Sequence, residues 1–114
     1  MTNALPVSVL LVDDQPEFRQ GLRTLLTFFT QTGPTEFQVV GEAASAEQAV
    51  DMISQQQPML TLLDMELAQG DGIQVLGKLA SEEARTRVLA LSAHNEDDWI
   101  FKAMQTYPLA PACI

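Results

Sequence analysis

Positive charge is scarce in this chain. Lys and Arg together number 6 against 15 Asp and Glu, a formal net charge of −9 over 114 residues. A surface this acidic repels a polyphosphate backbone, and no basic run overrides that repulsion, so direct nucleic-acid binding is not expected. Cysteine occurs once, as Cys113, which excludes an internal disulfide, and no CxxC or Cys/His cluster suggests zinc. No apolar run approaches the roughly 18 residues a membrane helix needs. The first apolar stretch after Met1 has no basic lead-in, which argues against a signal peptide. The expectation is a cytoplasmic protein of a reducing compartment with no membrane partner. Internal repeats, low-complexity tracts and interdomain linkers are also missing. What is there is ordinary globular material, 46% hydrophobic and 18% charged, in one domain's length of chain.

Apolar periodicity alternates between two kinds of segment. Val7-Ser8-Val9-Leu10-Leu11-Val12 is a short, nearly continuous run suited to a strand buried on both faces. Pro16 then sits where a first helical turn tolerates it, and Phe18, Leu22, Leu25, Leu26 and Phe29 recur at helical spacing. The polar loop 31–36, with Gly33-Pro34 as its breaker, ends that helix. A second strand is predicted over Phe37-Gln38-Val39-Val40, stopping near Gly41. Ser45 and Gln48 have the spacing of a capping box, with Ala49, Val50 and Ile53 as the stripe behind it.

A third apolar run, Met59-Leu60-Thr61-Leu62-Leu63, ends in Asp64, and Gly70-Asp71-Gly72 leads into Ile73, Leu76 and Leu79 at helical spacing. Val88-Leu89-Ala90-Leu91 ends in Ser92, and Asn95 with Glu96, Asp97 and Asp98 forms an acidic helix start before Trp99, Ile100, Ala103 and Met104. Strand and helix thus alternate in units of about 25 to 30 residues. Right-handed crossovers then require an α/β domain, an open parallel sheet with helices on both faces.

Ligands of open parallel sheets sit outside the carboxyl ends of the strands. There the first strand ends in Asp13-Asp14, the third in Asp64 and the fourth in Ser92. Any one of these aspartates has a plain structural reading: Asp13-Asp14 as a cap for the helix opening near Pro16, Asp64 as a turn residue. Together they bring carboxylates from separate parts of the chain to one edge. Like charges at close range disfavour joint ionisation, and a hard divalent cation relieves this; an oxygen-only donor set suits Mg²⁺ or Mn²⁺.

The segments VSVLLVDDQPEFRQGL, FQVVGEAASAEQAV, LTLLDMELAQGDGIQVL and RVLALSAH, in this order, resemble the receiver domain of bacterial two-component response regulators. The likeness runs from about residue 7 to 105 and is greatest to receivers that precede LuxR-type helix-turn-helix output domains. It implies a flavodoxin-like sheet of strand order 2-1-3-4-5, with Asp64 as phosphoacceptor for a histidine kinase, a phosphotransfer protein or a small donor such as acetyl phosphate. Asp13 and Asp14 would hold Mg²⁺ together with Asp64 and the backbone carbonyl of Glu66. Ser92 would hydrogen-bond a phosphoryl oxygen and move inward on phosphorylation. Such a module phosphorylates itself and is not a turnover enzyme.

Past residue 105 the likeness ends. A receiver continues into a fifth strand closed by a lysine, then a fifth helix. Here the family's separation from Ser92 lands on Ile114, Lys102 falls too early, and Pro108 and Pro111 each remove a donor. The expectation is therefore a receiver-like domain over 1–105 and a divergent tail over 106–114, with the last strand and helix missing or atypical. If a missing helix leaves about 300 Å² of apolar surface uncovered, the cost is roughly 7 kcal/mol, and a homodimer or segment-swapped oligomer is expected to cover that face.

His94 reads as a loop histidine, Trp99 as a packing residue, and the Glu66 side chain either as a solvent-facing loop group or as a tuner of metal binding. A degenerate receiver acting as a phosphorylation-independent interaction or dimerisation module is the alternative. A haloacid-dehalogenase-type phosphatase needs Asp-x-Asp after the first strand, and an FMN site needs a hydroxyl- and glycine-rich loop; Asp13-Asp14-Gln15 supplies neither.

Overall fold

Val7–Val12 forms β1, the second strand of a parallel sheet whose order is β2-β1-β3-β4-β5. The computed structural model describes residues 5–65, 67, 72–82 and 84–91, and the backbone of Ala112 and Cys113. In chain order β1 is followed by α1 (Pro16–Thr32), β2 (Phe37–Ala43), α2 (Ala46–Gln56), β3 (Leu60–Asp64), α3 (Gly72–Ser81), β4 (Arg87–Leu91) and β5 (Ala112–Cys113). This is the flavodoxin-like order expected from the sequence. The last strand is atypical: two residues, Leu89 facing Ala112 and Ala90 facing Cys113, starting just after Pro111 in the sequence.

Alternate residues of β1 feed two cores, as a strand buried on both faces must. Leu10 and Val12 join Leu63, Val88 and Ala90 beneath Ala49 and Ile53 of α2 and Val75, Leu76 and Leu79 of α3. Val9, Leu11 and Leu62 face the other way, against Leu26 of α1. A buried Thr61–Thr86 hydroxyl pair at 2.9 Å ties β3 to the residue before β4.

Three local findings refine the sequence reading. First, β2 continues through Gly41 to Ala43, because a register shift between Val9 and Leu10 accommodates one extra residue, Val40, and pairs Leu10 with Gly41. Gly41 lies beneath α2: a Cβ there would come within 2.5 Å of the Met52 terminal methyl. Second, Ser45 Oγ accepts from the Gln48 N–H at 3.2 Å as the capping box requires, but Gln48 Oε1 returns to the Ala44 N–H, one residue before the cap.

Third, the apolar stripe of α1 is mostly not core. Leu26 is buried and Leu22 half-buried, whereas Phe18 (62%), Leu25 (51%), Phe28 (56%) and Phe29 (49%) stay exposed. The helix docks through the Leu22/Leu26 edge, and the rest of the stripe lies rotated off the sheet, with the Phe28 and Phe29 rings edge-on at 5.9 Å.

Candidate functional site

At the carboxyl edge of the sheet the β1–β2 ladder runs one residue past β1: the Asp13 N–H donates to the Ala43 carbonyl at 3.0 Å. That bond sets Asp13 at the strand end, 6% exposed, with Asp14 half-buried beside it. The Gln15 N–H turns back to donate to Asp13 Oδ1 at 2.8 Å. The N-cap of α1 is Gln15, without a side-chain cap bond, and Pro16 opens the helix. The aspartates are therefore not its cap, and their structural reading as cap residues fails.

Asp64 closes β3, which pairs with β1 on one side and, through Asp64 and Leu91, with β4 on the other. The ladder again overruns, Met65 N–H donating to the Leu91 carbonyl at 2.9 Å. One carboxylate oxygen from each of Asp13, Asp14 and Asp64 lies within 4.8 Å of the others. The donor set is all oxygen, it is anionic, and it is partly shielded from water, which fits a hard divalent cation. The other sequence candidates, Ser92 and Glu66, lie outside the described residues, as do His94, Trp99 and Lys102.

Electrostatics record the crowding. Burial pushes the Asp13 carboxyl above its ordinary 3.8, the Asp14 charge pushes the same way, and the Gln15 N–H and the Arg19 guanidinium oppose them. A raised native pKa means that the ionised group disfavours folding above that value, and that the penalty fades as pH falls through it towards 3.8. Asp13→Asn is thus expected to raise the melting temperature of the metal-free chain at pH 7. The gain should shrink steadily towards pH 4 in melts followed by circular dichroism; a gain that is pH-independent would sink this account.

Sequence reading missed a cationic brace behind these carboxylates. Arg19, one turn into α1, donates from Nη1 to the Asp13 carbonyl at 2.6 Å and from Nε to Glu42 Oε1 at 2.9 Å. Arg23 donates from Nε to the second oxygen, Glu42 Oε2, at 2.8 Å. Burial alone would raise the Glu42 pKa, but the hydrogen bonds and charges of Arg23 and Arg19 outweigh it and hold the carboxyl below 4.5. The stabilisation Glu42 provides is therefore present above 4.5 and lost as pH falls through its lowered native value. The available sequence signal was the spacing of Arg19 and Arg23, four residues apart and so on one helix face.

Known proteins with this pattern are numerous. The family model of the response regulator receiver domain matches residues 9–107. The nitrate/nitrite response regulator protein NarL of Escherichia coli (strain K12) is 30% identical over 105 residues, covering 92% of this chain and 46% of that protein. Sporulation initiation phosphotransferase F of Bacillus subtilis (strain 168) is 37% identical over 93 residues, covering 81% of this chain and 68% of that protein. Among solved structures, the signal receiver domain of a NarL response regulator from Mycobacterium tuberculosis superposes with a TM-score of 0.85 at 34% identity, covering 96% of this chain and 83% of that one. The chain spans about half the length of NarL. Among the described residues no helix is long and apolar enough to cross a membrane.

Proposed function

Because the chain belongs to the response regulator receiver domain family, we propose that it accepts a phosphoryl group on Asp64 and so switches its affinity for partners in two-component signalling. The observation that carries this reading is the convergence of Asp13, Asp14 and Asp64 at the carboxyl edge of the sheet. The Asp64 carboxylate is the nucleophile. Its oxygen bonds to phosphorus as the P–N bond of a kinase or phosphotransfer-protein phosphohistidine breaks, and the departing imidazole takes up a proton. With acetyl phosphate the P–O bond breaks and acetate leaves.

Asp13 and Asp14, with Asp64 and the Glu66 backbone carbonyl, would hold Mg²⁺, or Mn²⁺ in its place. When bound, that ion neutralises charge developing on the phosphoryl oxygens, the largest need of phosphoryl transfer. Ser92 is assigned to hydrogen-bond the transferred group. The phosphoryl group ends on the chain itself, so this is a switch of the cytoplasm rather than a turnover enzyme. Intact mass after incubation with acetyl phosphate and Mg²⁺ tests the reading: a gain of one phosphoryl group is expected. A folded chain that gains none supports instead a phosphorylation-independent interaction module.

One observation favours an interaction role alongside the switch. Phe18, Leu25, Phe28 and Phe29 are about half exposed or more on a single helix. Arg19 and Arg23 of that helix are paired with Glu42, and Glu17 is its only acid. A nearly neutral apolar surface on a chain of charge −9 is where two copies can meet without charge repulsion. Light scattering at micromolar concentration is expected to report a homodimer, and Phe29→Glu a monomer; a wild-type monomer would refute the dimer.

A further inference from the structure

We infer that Arg19, held by Glu42, is a positioning residue for the divalent cation: it fixes the Asp13 main chain and is itself kept off the carboxylates. This inference rests on the receiver reading above.

The geometry is that of a part with no slack. Asp13 is held on three sides, its N–H by Ala43, its carbonyl by Arg19 and its Oδ1 by the Gln15 N–H. The first and third of these bonds come from backbone, which the fold supplies regardless of side chain. The second comes only from Arg19. A guanidinium holds Nε and Nη1 rigidly in one plane with diverging donors, so Arg19 spans a carboxylate and a carbonyl at once with one rotamer fixed. Lysine has a single nitrogen on a flexible stem and lacks that fixed span. The Arg19 side chain is only 17% exposed, so these contacts are not simply exchanged for water.

Glu42 has a second task. A cation next to three carboxylates that converge within 4.8 Å is drawn towards them. There it would compete with Mg²⁺ for the same oxygens. Glu42 gives Arg19 a carboxylate partner of its own at 2.9 Å on β2, and Arg23 anchors the other oxygen so that Glu42 does not turn away. The brace therefore orients one ligand residue and withholds a competing charge. Groups that orient metal ligands are typically worth about 10- to 100-fold in metal affinity.

The test is titration of the full chain with Mn²⁺ alone, free metal being read by electron paramagnetic resonance. Arg19→Lys and Glu42→Gln are each expected to weaken Mn²⁺ binding about 10-fold. The double variant should lose little more than either single, because the two residues act as one device. Lys78→Gln, which removes one positive charge from the last turn of α3, should stay within about two-fold of wild type. In the acetyl phosphate reaction the Mg²⁺ midpoint of Arg19→Lys should rise while the rate at saturating Mg²⁺ stays at the wild-type value, a split that general loosening of the fold does not produce.

Arg19→Lys with wild-type affinity, or Lys78→Gln with the same loss as Arg19→Lys, overturns the positioning role while leaving the receiver reading intact. A folded wild-type chain that binds no Mn²⁺ at millimolar concentration overturns both.

Discussion

Asp64→Asn is expected to abolish phosphoryl uptake completely and, in the same protein, to raise the melting temperature of the metal-free chain. The two effects share one cause. The amide oxygen of Asn is too weak a nucleophile for phosphorus, so the mass gain with acetyl phosphate falls to zero rather than by a factor. The substitution also removes one of three negative charges whose oxygens lie within 4.8 Å of each other. Like charges held this close repel one another, and removing one relieves the others. Even 1 kcal/mol of net relief shifts the melting temperature by roughly 4–8 °C in a domain of this size.

Metal should reverse the ranking. Mg²⁺ at 100 times its dissociation constant stabilises a folded site by about 2.7 kcal/mol, and Asp64→Asn forgoes most of that. Melts with and without Mg²⁺ should therefore cross: the variant higher without metal, the wild type higher with it. Parallel shifts in both proteins would mean that the three carboxylates do not act as one cation site.

The second large effect is expected at Gly72, the first residue of α3. Alanine favours a helix over glycine by about 1 kcal/mol, which alone would make Gly72→Ala stabilising. Steric contact decides otherwise. A Cβ on Gly72 would lie 2.7 Å from the Met65 Cα and 2.5 Å from its sulfur. The nearer contact, to sulfur, lies on a side chain that is itself fully buried, and the other is backbone, so neither yields cheaply. Met65 is also bonded on both sides, its N–H to Leu91 and its carbonyl to the Gly72 N–H. Overpacking of this kind costs about 1–3 kcal/mol.

The displacement passes directly to Asp64, the neighbouring residue. Gly72→Ala is thus expected to melt several degrees lower and to take up phosphate more slowly than wild type at equal Mg²⁺. Gly21→Ala is the contrast: nothing lies within 4 Å of a Cβ there, mid-helix in α1, and a gain of about 0.5–1 kcal/mol is expected. A stable, fully active Gly72→Ala would show that Met65 yields without cost.

The sheet was legible in the sequence because its strands are short apolar runs, and a run buried on both faces needs no partner to be recognised. The aspartates were legible for a related reason: strand ends can be counted from one chain, and parallel strands bring their carboxyl ends to one edge. What stayed hidden depended on pairing. Gly41 looks like a stop in one dimension, and only the nearness of Met52 and Leu10 shows why a strand continues through it. The α1 stripe reads as core by spacing, yet spacing does not say which part of a stripe meets the sheet; Leu26 does and Phe29 does not. Arg19 and Glu42 are 23 residues apart, and their meeting is a fact of strand register.

That register turns on a matter of odd and even. Along β1, odd-numbered residues such as Val9 and Leu11 look towards α1, and even-numbered ones look towards α2 and α3. β2 starts in step, Val39 beside Val9, but the supernumerary Val40 reverses its parity, so that Glu42 comes level with Leu11 and Ala43 with Val12. Were Val40 paired in turn with Leu10, with no bulge, Glu42 would stand opposite Val12, its charge turned into the apolar layer under α2, while Arg19 and Arg23 faced a glycine. Closing the bulge with Val40 retained alters no charge and no ligand, yet it would invert which face of the molecule is acidic at the end of β2. The charge pattern around the site is thus written partly in the register of an edge strand, where one unpaired residue decides which face a charge takes.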